Sequence, residues 1–361
     1  MKYSSLILTI FLNLNSTFAR VSLPPYCNML SKFVSDADIS RIQLEDSQRR
    51  ELLIIQALGP ERMLTIENAL GVPPLSAVST EAEALAIVSR MMDEPQVYGP
   101  VVRILNDLPS NRSWALYLNT GFHAVSTYTD GHRDMVQKAI REFPHEGSFG
   151  PARVLDVGIG NGNLVIAAAV DNSTRIVTGI DFAGAGHTIS TMRMNDISDI
   201  ATAKFNDPGM ERTGRFMFGR GSATDPHMFR GQQFDGASMV LTLFAIPPSQ
   251  RKAALKNVFE SLAPGARFVL MDPIPKANTA DEGRLFLRTI VSNAWQNNRE
   301  LTALDVAILT AKNAHGLLKI DFLSPETQKE MAEEVGFRAV AGPEIGYYGL
   351  VNMQIFEKPA R

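Results

Sequence analysis

The sequence lacks most of the features that indicate a metal site, a disulfide or a nucleic-acid surface. Its 361 residues contain a single cysteine, Cys27, which excludes an intrachain disulfide and a Cys-x-x-Cys cluster. The 6 histidines fall into no metal-binding spacing such as His-Glu-x-x-His. The net charge is −3 and no dense basic tract is present, which argues against a nucleic-acid partner. We therefore predict no metal site and no nucleic-acid substrate.

Long apolar runs are also missing, so no stable membrane span is predicted. The apolar run from Leu6 to Leu14 is shorter than the about 20 residues that cross a bilayer. Residues 1–19 nevertheless have the layout of a signal peptide, with basic Lys2, the apolar run, and small residues up to Ala19. The alternative is a short apolar extension or first helix of a cytosolic protein. The location is thus open between the cytoplasm and the secretory pathway.

What the sequence does contain divides it into two differently patterned parts. Residues 20–150 are predicted to form an α-helical N-terminal lobe, in which Thr80 and Glu83 have the spacing of a capping box. In residues 151–361 short apolar runs alternate with helical stretches, as in parallel βαβ units, and a helical insertion interrupts them at about 278–315. Strands are predicted at 153–158, 175–181, 215–221, 234–243, 266–273, 337–345 and 350–358.

The last two predicted strands are joined by "GYYG", which is short enough for an antiparallel hairpin. The expected fold is therefore α/β: a doubly wound, Rossmann-like sheet with a terminal antiparallel hairpin, preceded by the α-helical lobe.

The stretch "RVLDVGIGNGNL" carries the first chemical signal, because a strand pattern runs into glycines at alternate positions. Gly158, Gly160 and Gly162 would let the backbone approach a ligand closely at the start of a helix. Asp156, two residues before the first glycine, would repel a pyrophosphate but favour an ammonium or sulfonium group. Asp181 ends the next predicted strand, where doubly wound folds place an acid that binds ribose hydroxyls. The pattern favours a positively charged nucleoside over a dinucleotide.

These residues resemble motif I of the class I S-adenosylmethionine-dependent methyltransferases. The likeness covers about residues 150 to 361 and includes "GID", "QFDGASMVLTL", "LAPGARFVLMDP" and the terminal hairpin. The resemblance implies S-adenosylmethionine as the cofactor, with Asp156 and the three glycines at its methionine end. It also implies that Asp181 holds the ribose and that Phe182 lies near the adenine.

One departure from the family pattern follows the third predicted strand. Many members carry an aspartate directly after a glycine there, which contacts the adenine amino group. The chain has "GRGSATD" at this place, and either Ser222 or Asp225 could take that role.

A second departure follows the fourth predicted strand, where many members carry histidine or asparagine beside the substrate. The chain has Phe244 and Ala245 in "LTLFAIPP", which implies an apolar wall and a small hydrophobic or aromatic substrate. The general base must then come from elsewhere, and the candidates are His123, His187 and His315.

The predicted function is methyl transfer to a small molecule, with oxygen favoured over nitrogen or carbon as the acceptor. The helical lobe and the insertion would cover the active site, and the lobe could form a homodimer interface. Two alternatives from other classes stay open. One is a methyltransferase-like protein that binds the cofactor but catalyses a rearrangement or elimination. The other is a non-catalytic protein that binds a partner through the helical lobe.

Overall fold

The computed structural model describes most of the chain beyond its first fifty residues. Residues 1–19, the signal-like segment, lie outside the described part. The described residues are 54, 57–121, 129–147, 150–160, 162–171, 175–182, 216–274, 280–297, 301–317, 322–347, 349 and 351–360. None of the helices in this part is both long and apolar enough to cross a membrane.

Helices make up the first part of the described chain. They are α1 (Pro60–Leu70), α2 (Glu81–Asp93), α3 (Pro95–Asp107), α4 (Ser110–Asn119) and α5 (Asp130–Arg141). Helix α2 has the predicted capping box, in which the Thr80 hydroxyl accepts from the Glu83 amide and the Glu83 carboxylate accepts from the Thr80 amide. Helices α1 and α3 begin with proline, which suits a first turn because its missing N–H has no intrahelical partner there.

The rest of the described chain builds one seven-stranded sheet and the helices around it. Before the sheet, β1 (Glu146–Gly147) and β2 (Gly150–Pro151) form a small antiparallel pair. The sheet strands are β3 (Arg153–Val157), β4 (Ile176–Asp181), β5 (Phe216–Arg220), β6 (Phe234–Val240), β7 (Leu262–Pro273), β8 (Arg338–Gly346) and β9 (Val351–Glu357). The helices are α6 (Asn163–Asp171), α7 (Pro248–Ser261), α8 (Ala280–Asn297), α9 (Ala303–Leu317) and α10 (Pro325–Glu334).

The strand order of the sheet is β5-β4-β3-β6-β7-β9-β8. Strands β3 to β7 are parallel, whereas β9 runs antiparallel between β7 and β8. The order reverses between β3 and β6, which is the place where doubly wound sheets bind ligands at the carboxyl ends of their strands. This arrangement confirms the predicted doubly wound sheet with its terminal antiparallel hairpin.

The two faces of the sheet carry two different cores, because side chains alternate along each strand. On β3, Val154 joins the core formed with the N-terminal helices, whereas Leu155 and Val157 join the opposite core with α7. Strands buried on both faces are typical of parallel sheets covered by helices on each side.

Helices α8 and α9 pack against the N-terminal helices. The Trp295 indole Nε1 of α8 donates to the Val78 carbonyl at 3.3 Å, and the Val78 amide donates to the Leu301 carbonyl at 2.7 Å. On α9, the Lys312 ammonium lies 3.0 Å from the Ser113 hydroxyl of α4. The part of the chain predicted as an insertion thus continues the layer formed by α1 to α5.

Two predicted strand ends differ from the structure by more than one residue. The strand predicted at 234–243 ends at Val240, because Leu241 takes a left-handed φ of 51° and a 3₁₀ turn, Leu243–Ala245, follows. Strand β7 begins at Leu262, four residues before the predicted start, through a further pairing with Phe234 on β6.

Candidate functional site

Three glycines shape the turn that follows β3, and we call Gly158, Gly160 and Gly162 together the glycine turn. Their φ angles are 80°, 50° and 77°, in the left-handed region that other residues rarely adopt. A Cβ on Gly158 would lie 2.1 Å from the Thr242 hydroxyl oxygen, so the turn after β6 also leaves no room for a side chain there. The turn is anchored to β4, since the Gly158 amide donates to the Ile180 carbonyl at 2.8 Å.

Asp156 is buried beside the glycine turn and is held by the neighbouring strand. The Ser238 hydroxyl on β6 donates to Asp156 Oδ1 at 2.8 Å. Burial raises the pKa of Asp156 to about 7, the charge of Asp181 adds to this rise, and the Ser238 hydrogen bond opposes it. The carboxyl group therefore titrates near neutrality, in a place where a positively charged ligand would favour its ionised form.

Asp181 at the end of β4 lies directly against the glycine turn. Its Oδ2 atom accepts a hydrogen bond from the Gly160 amide at 2.9 Å, and its backbone carbonyl accepts from the Gly221 amide at 3.0 Å. The next residue, Phe182, exposes 51% of its surface. The structure thus brings together three of the predicted cofactor elements: Asp156, the glycine turn and Asp181.

The two candidates after β5 have different surroundings. Ser222 is half-buried and follows Gly221, which is bonded to Asp181; its hydroxyl shares a hydrogen bond of 2.8 Å with Thr224. Asp225 is exposed, and its Oδ1 accepts from the His227 amide at 2.9 Å. Ser222 thus directly follows the residue whose amide bonds to the end of β4, whereas Asp225 lies three residues further along the chain.

Residues 242–246, which we call the β6 turn, lie next to the glycine turn. The ring of Phe244 is half-buried and packs 5.8 Å from the ring of Phe322, which gives this turn an aromatic surface. The Thr242 hydroxyl donates to the Val240 carbonyl at 2.9 Å, which fixes the side chain that faces Gly158.

Sequence reasoning missed four residues that support these two turns: Ser238, Thr242, Arg251 and Asp272. They are buried or half-buried polar residues. Asp272 is the last residue but one of β7, and the Thr242 amide donates to its Oδ1 at 3.1 Å. Arg251 on α7 donates to the Phe244 carbonyl at 3.1 Å. The only signal in the sequence was a polar residue within or directly after an apolar strand run, as in "VLMDP", and Arg251 on α7 gave none.

The predicted catalytic histidines are not positioned by the described part of the chain. His123 and His187 lie outside the described residues. His315 belongs to α9, but its side chain is outside the description. Within the described residues, no three His, Cys, Asp or Glu side chains gather into a group that could hold a metal ion.

Two groups of the helical layer have lowered pKa values. Burial lowers the pKa of His132, on α5, to about 4. Burial also lowers the pKa of Lys312 on α9, whose ammonium contacts Ser113 on α4. Both belong to the helical layer rather than to the strand ends.

Comparison with known families identifies the class of protein. The family model for the methyltransferase domain matches residues 130–341, which is more than half of the chain. The chain belongs to this family, and the predicted membership of the class I S-adenosylmethionine-dependent methyltransferases is confirmed. The match begins within the N-terminal helices, at α5, and ends within β8. No curated protein matches the chain.

Several solved methyltransferase structures resemble the chain at low identity. A protein described as an O-methyltransferase from Nostoc punctiforme has 14% identity and a TM-score of 0.43, covering 76% of this chain and 72% of that one. The N-methyltransferase NodS from Bradyrhizobium japonicum, solved with S-adenosyl-L-homocysteine, has 14% identity and a TM-score of 0.40, covering 64% and 89%. The magnesium protoporphyrin IX methyltransferase from Synechocystis, solved with S-adenosylmethionine, has 11% identity and a TM-score of 0.42, covering 78% and 99%. At these values the likenesses identify no acceptor.

Proposed function

We propose that the protein is an S-adenosylmethionine-dependent methyltransferase that acts on a small hydrophobic or aromatic molecule, with oxygen as the favoured acceptor. The observation that carries the proposal is the buried carboxyl group of Asp156 beside the glycine turn. A buried acid at this point repels a pyrophosphate and attracts a positively charged ligand, and S-adenosylmethionine is the cofactor that the family implies. When bound, this cofactor supplies a methyl group on a positively charged sulfur.

The cofactor contacts that we propose follow the predicted roles, and the geometry of the described residues supports them. Asp156 and the glycine turn face the methionine end, where glycines allow close approach of the backbone. Asp181 binds the ribose, and the exposed ring of Phe182 lies against the adenine. Ser222 rather than Asp225 contacts the adenine amino group, because Ser222 follows the residue bonded to Asp181.

The acceptor is assigned to the side of the site formed by the β6 turn. Phe244 and Phe322 present aromatic surface there, and aromatic rings favour flat, apolar molecules. Transfer to a hydroxyl needs a base, and His123, His187 and His315 are the candidates. Orientation of the acceptor supplies the rest of the rate enhancement, because a sulfonium methyl group requires mainly alignment with its nucleophile.

The proposal is tested with the full chain in two steps. Calorimetry with S-adenosylmethionine is expected to show binding, and Asp156→Ala is expected to abolish it. Incubation with methyl-labelled cofactor and a panel of phenols and carboxylic acids is then expected to transfer label to a phenol. Failure to bind the cofactor would refute the proposal as a whole. Binding without label transfer to any member of a broad panel would instead favour a non-methylating relative.

A further inference from the structure

The β6 turn is held from two sides by buried side chains. On one side, Asp272 accepts a hydrogen bond from the turn, since the Thr242 amide donates to Oδ1 of Asp272 at 3.1 Å. On the other side, Arg251 donates two hydrogen bonds to carbonyls of the turn. Its Nη2 donates to the Phe244 carbonyl at 3.1 Å and its Nε to the Ile246 carbonyl at 2.9 Å. Both side chains are almost completely removed from solvent. The turn therefore depends on one carboxyl side chain from β7 and one guanidinium side chain from α7.

The second oxygen of Asp272 has no donor among the described residues. Its Oδ2 atom is buried without a hydrogen-bond partner, and so is the Oδ1 atom of Asn352. Asp272 on β7 and Asn352 on β9 are directly paired in an antiparallel register, and both are fully buried. Directly opposite residues place their side chains on the same face, with Cβ atoms about 5 Å apart. Two acceptor atoms without donors thus belong to neighbouring side chains.

The orientation of the Asn352 amide is fixed by Gln328 on α10. The Gln328 Nε2 atom donates to the Leu323 carbonyl at 3.0 Å and to the Pro273 carbonyl at 3.5 Å, so its Oε1 atom must accept. The Asn352 Nδ2 atom donates to that oxygen at 2.9 Å. If the Asn352 amide were rotated by half a turn, its Oδ1 atom would face Gln328 Oε1, and two acceptors would repel each other. Its Oδ1 atom must therefore find a donor on another neighbour, and a buried acceptor left without one is costly.

We propose that Asp272 is held as a neutral carboxylic acid whose Oδ2 proton is donated to Asn352 Oδ1, and that it is a positioning residue for the cofactor site. One proton then satisfies both oxygens, while Oδ1 remains free to accept from the β6 turn. Burial raises the pKa of Asp272 to about 8, although hydrogen bonds from the turn amides and the charge of Arg251 oppose the rise. The neutral form is thus the one that predominates at neutral pH.

Asp272 acts on the site through Thr242. The Thr242 amide is bound to Asp272, and the Thr242 side chain occupies the space next to Gly158. Displacement of Thr242 would either open a gap beside the glycine turn or press on it. This step rests on the proposed function, because it takes the glycine turn to be the cofactor site.

The test compares two substitutions of Asp272 in the full chain. Asp272→Asn keeps an acceptor for Thr242 and supplies an N–H donor for Asn352, so S-adenosylmethionine affinity is expected to stay within about twofold of wild type. Asp272→Ala removes both bonds, and its affinity is expected to fall at least about tenfold, or the variant fails to fold. Equal losses in the two variants would overturn the proposal, because the negative charge opposite Arg251 would then be the essential feature.

Two readouts without any cofactor keep this inference separate from the proposed function. The infrared difference spectrum between wild type and Asp272→Asn at about pH 6 is expected to show the carbonyl band of a protonated carboxyl group. A carboxylate band instead would overturn the proposal.

The second readout is the pH dependence of the free energy of unfolding. A folded-state pKa above the unfolded value of 3.8 stabilises the protein at low pH, and this stabilisation is lost as the pH rises towards about 8. The free energy of unfolding is therefore expected to fall more steeply between these pH values in wild type than in Asp272→Asn. Identical slopes would contradict the proposal.

Discussion

The glycine turn and the β6 turn end neighbouring strands, but they keep their shapes by different means. In the glycine turn, the residues themselves allow the backbone conformation, since three glycines take left-handed φ angles. Directly before the β6 turn, Leu241 takes a left-handed φ although it has a side chain, and Asp272 and Arg251 hold the residues of the turn from outside. The glycine turn is therefore permitted by its own residues and is only anchored by Ile180 and Asp181, whereas the β6 turn depends on side chains of two other elements.

Among the substitutions that compare the two turns, the largest effect is expected where the turns touch. Gly158→Ala combines a left-handed φ, which costs about 1–2 kcal/mol for other residues, with overlap against Thr242, which costs about 1–3 kcal/mol. We expect S-adenosylmethionine affinity to fall about a hundredfold, measured by calorimetry.

Gly71→Ala is the matched control for this substitution. Gly71 has a φ of 69° at the end of α1, but a Cβ there would meet nothing within 4 Å. We expect this variant to lose about 1 kcal/mol of stability and to keep its cofactor affinity. If Gly158→Ala binds S-adenosylmethionine as tightly as Gly71→Ala does, the contact between the two turns does not contribute to cofactor binding.

An intermediate effect is expected at Asp156, where the β6 strand supports the glycine turn. The affinity for the positively charged cofactor should rise as the pH passes about 7, because Asp156 then loses its proton. Ser238→Ala removes a hydrogen bond to the charged form, worth about 1.5 kcal/mol, so the midpoint should move upward by roughly one pH unit. Calorimetry from about pH 6 to about pH 9 measures the shift.

Ser261→Ala provides the control, since Ser261 is another buried serine that donates to a backbone carbonyl, at the end of α7. Its midpoint should equal that of wild type. An unchanged midpoint in Ser238→Ala would mean that Asp156 does not govern cofactor binding.

The smallest effect on the site is expected from the helical lobe. Thr80→Ala removes the capping box of α2 and should cost about 1 kcal/mol of stability, measured by thermal unfolding, with no change in cofactor affinity. Glu83→Gln keeps an acceptor for the Thr80 amide, so this variant should lose less stability than Thr80→Ala. A large change in affinity for Thr80→Ala would show that the lobe and the turns are coupled.

Much of the fold could be predicted because its signals are local. The alternation of apolar runs predicted β3 to β7, the spacing of Thr80 and Glu83 predicted a capping box, and "GYYG" predicted the hairpin. The end of β6 could not be predicted, because "LTL" continues the strand pattern while Asp272, thirty residues later, binds the amide of Thr242. The strand propensity of the segment considers only its own residues, whereas the end of the strand is decided by this tertiary contact.

The candidate site divides in the same way. The glycine turn, Asp156 and Asp181 were predicted because each has a residue type that its local position requires. Ser238, Arg251 and Asp272 were missed, since a buried serine, arginine or aspartate acquires its role only from the partner that it meets. Helices α8 and α9 were predicted as an insertion, but their packing against the N-terminal helices became visible only in the structure.

By itself, the sequence determined the order of helices and strands, the glycine turn and the family, because backbone preferences and alternation act over a few residues. Only the tertiary structure decided which polar groups share the buried space at the strand ends. The physical reason is that a hydrogen bond or a pKa shift in the interior depends on neighbours brought together by strand pairing, as Asp272 and Asn352 are by the register of β7 and β9.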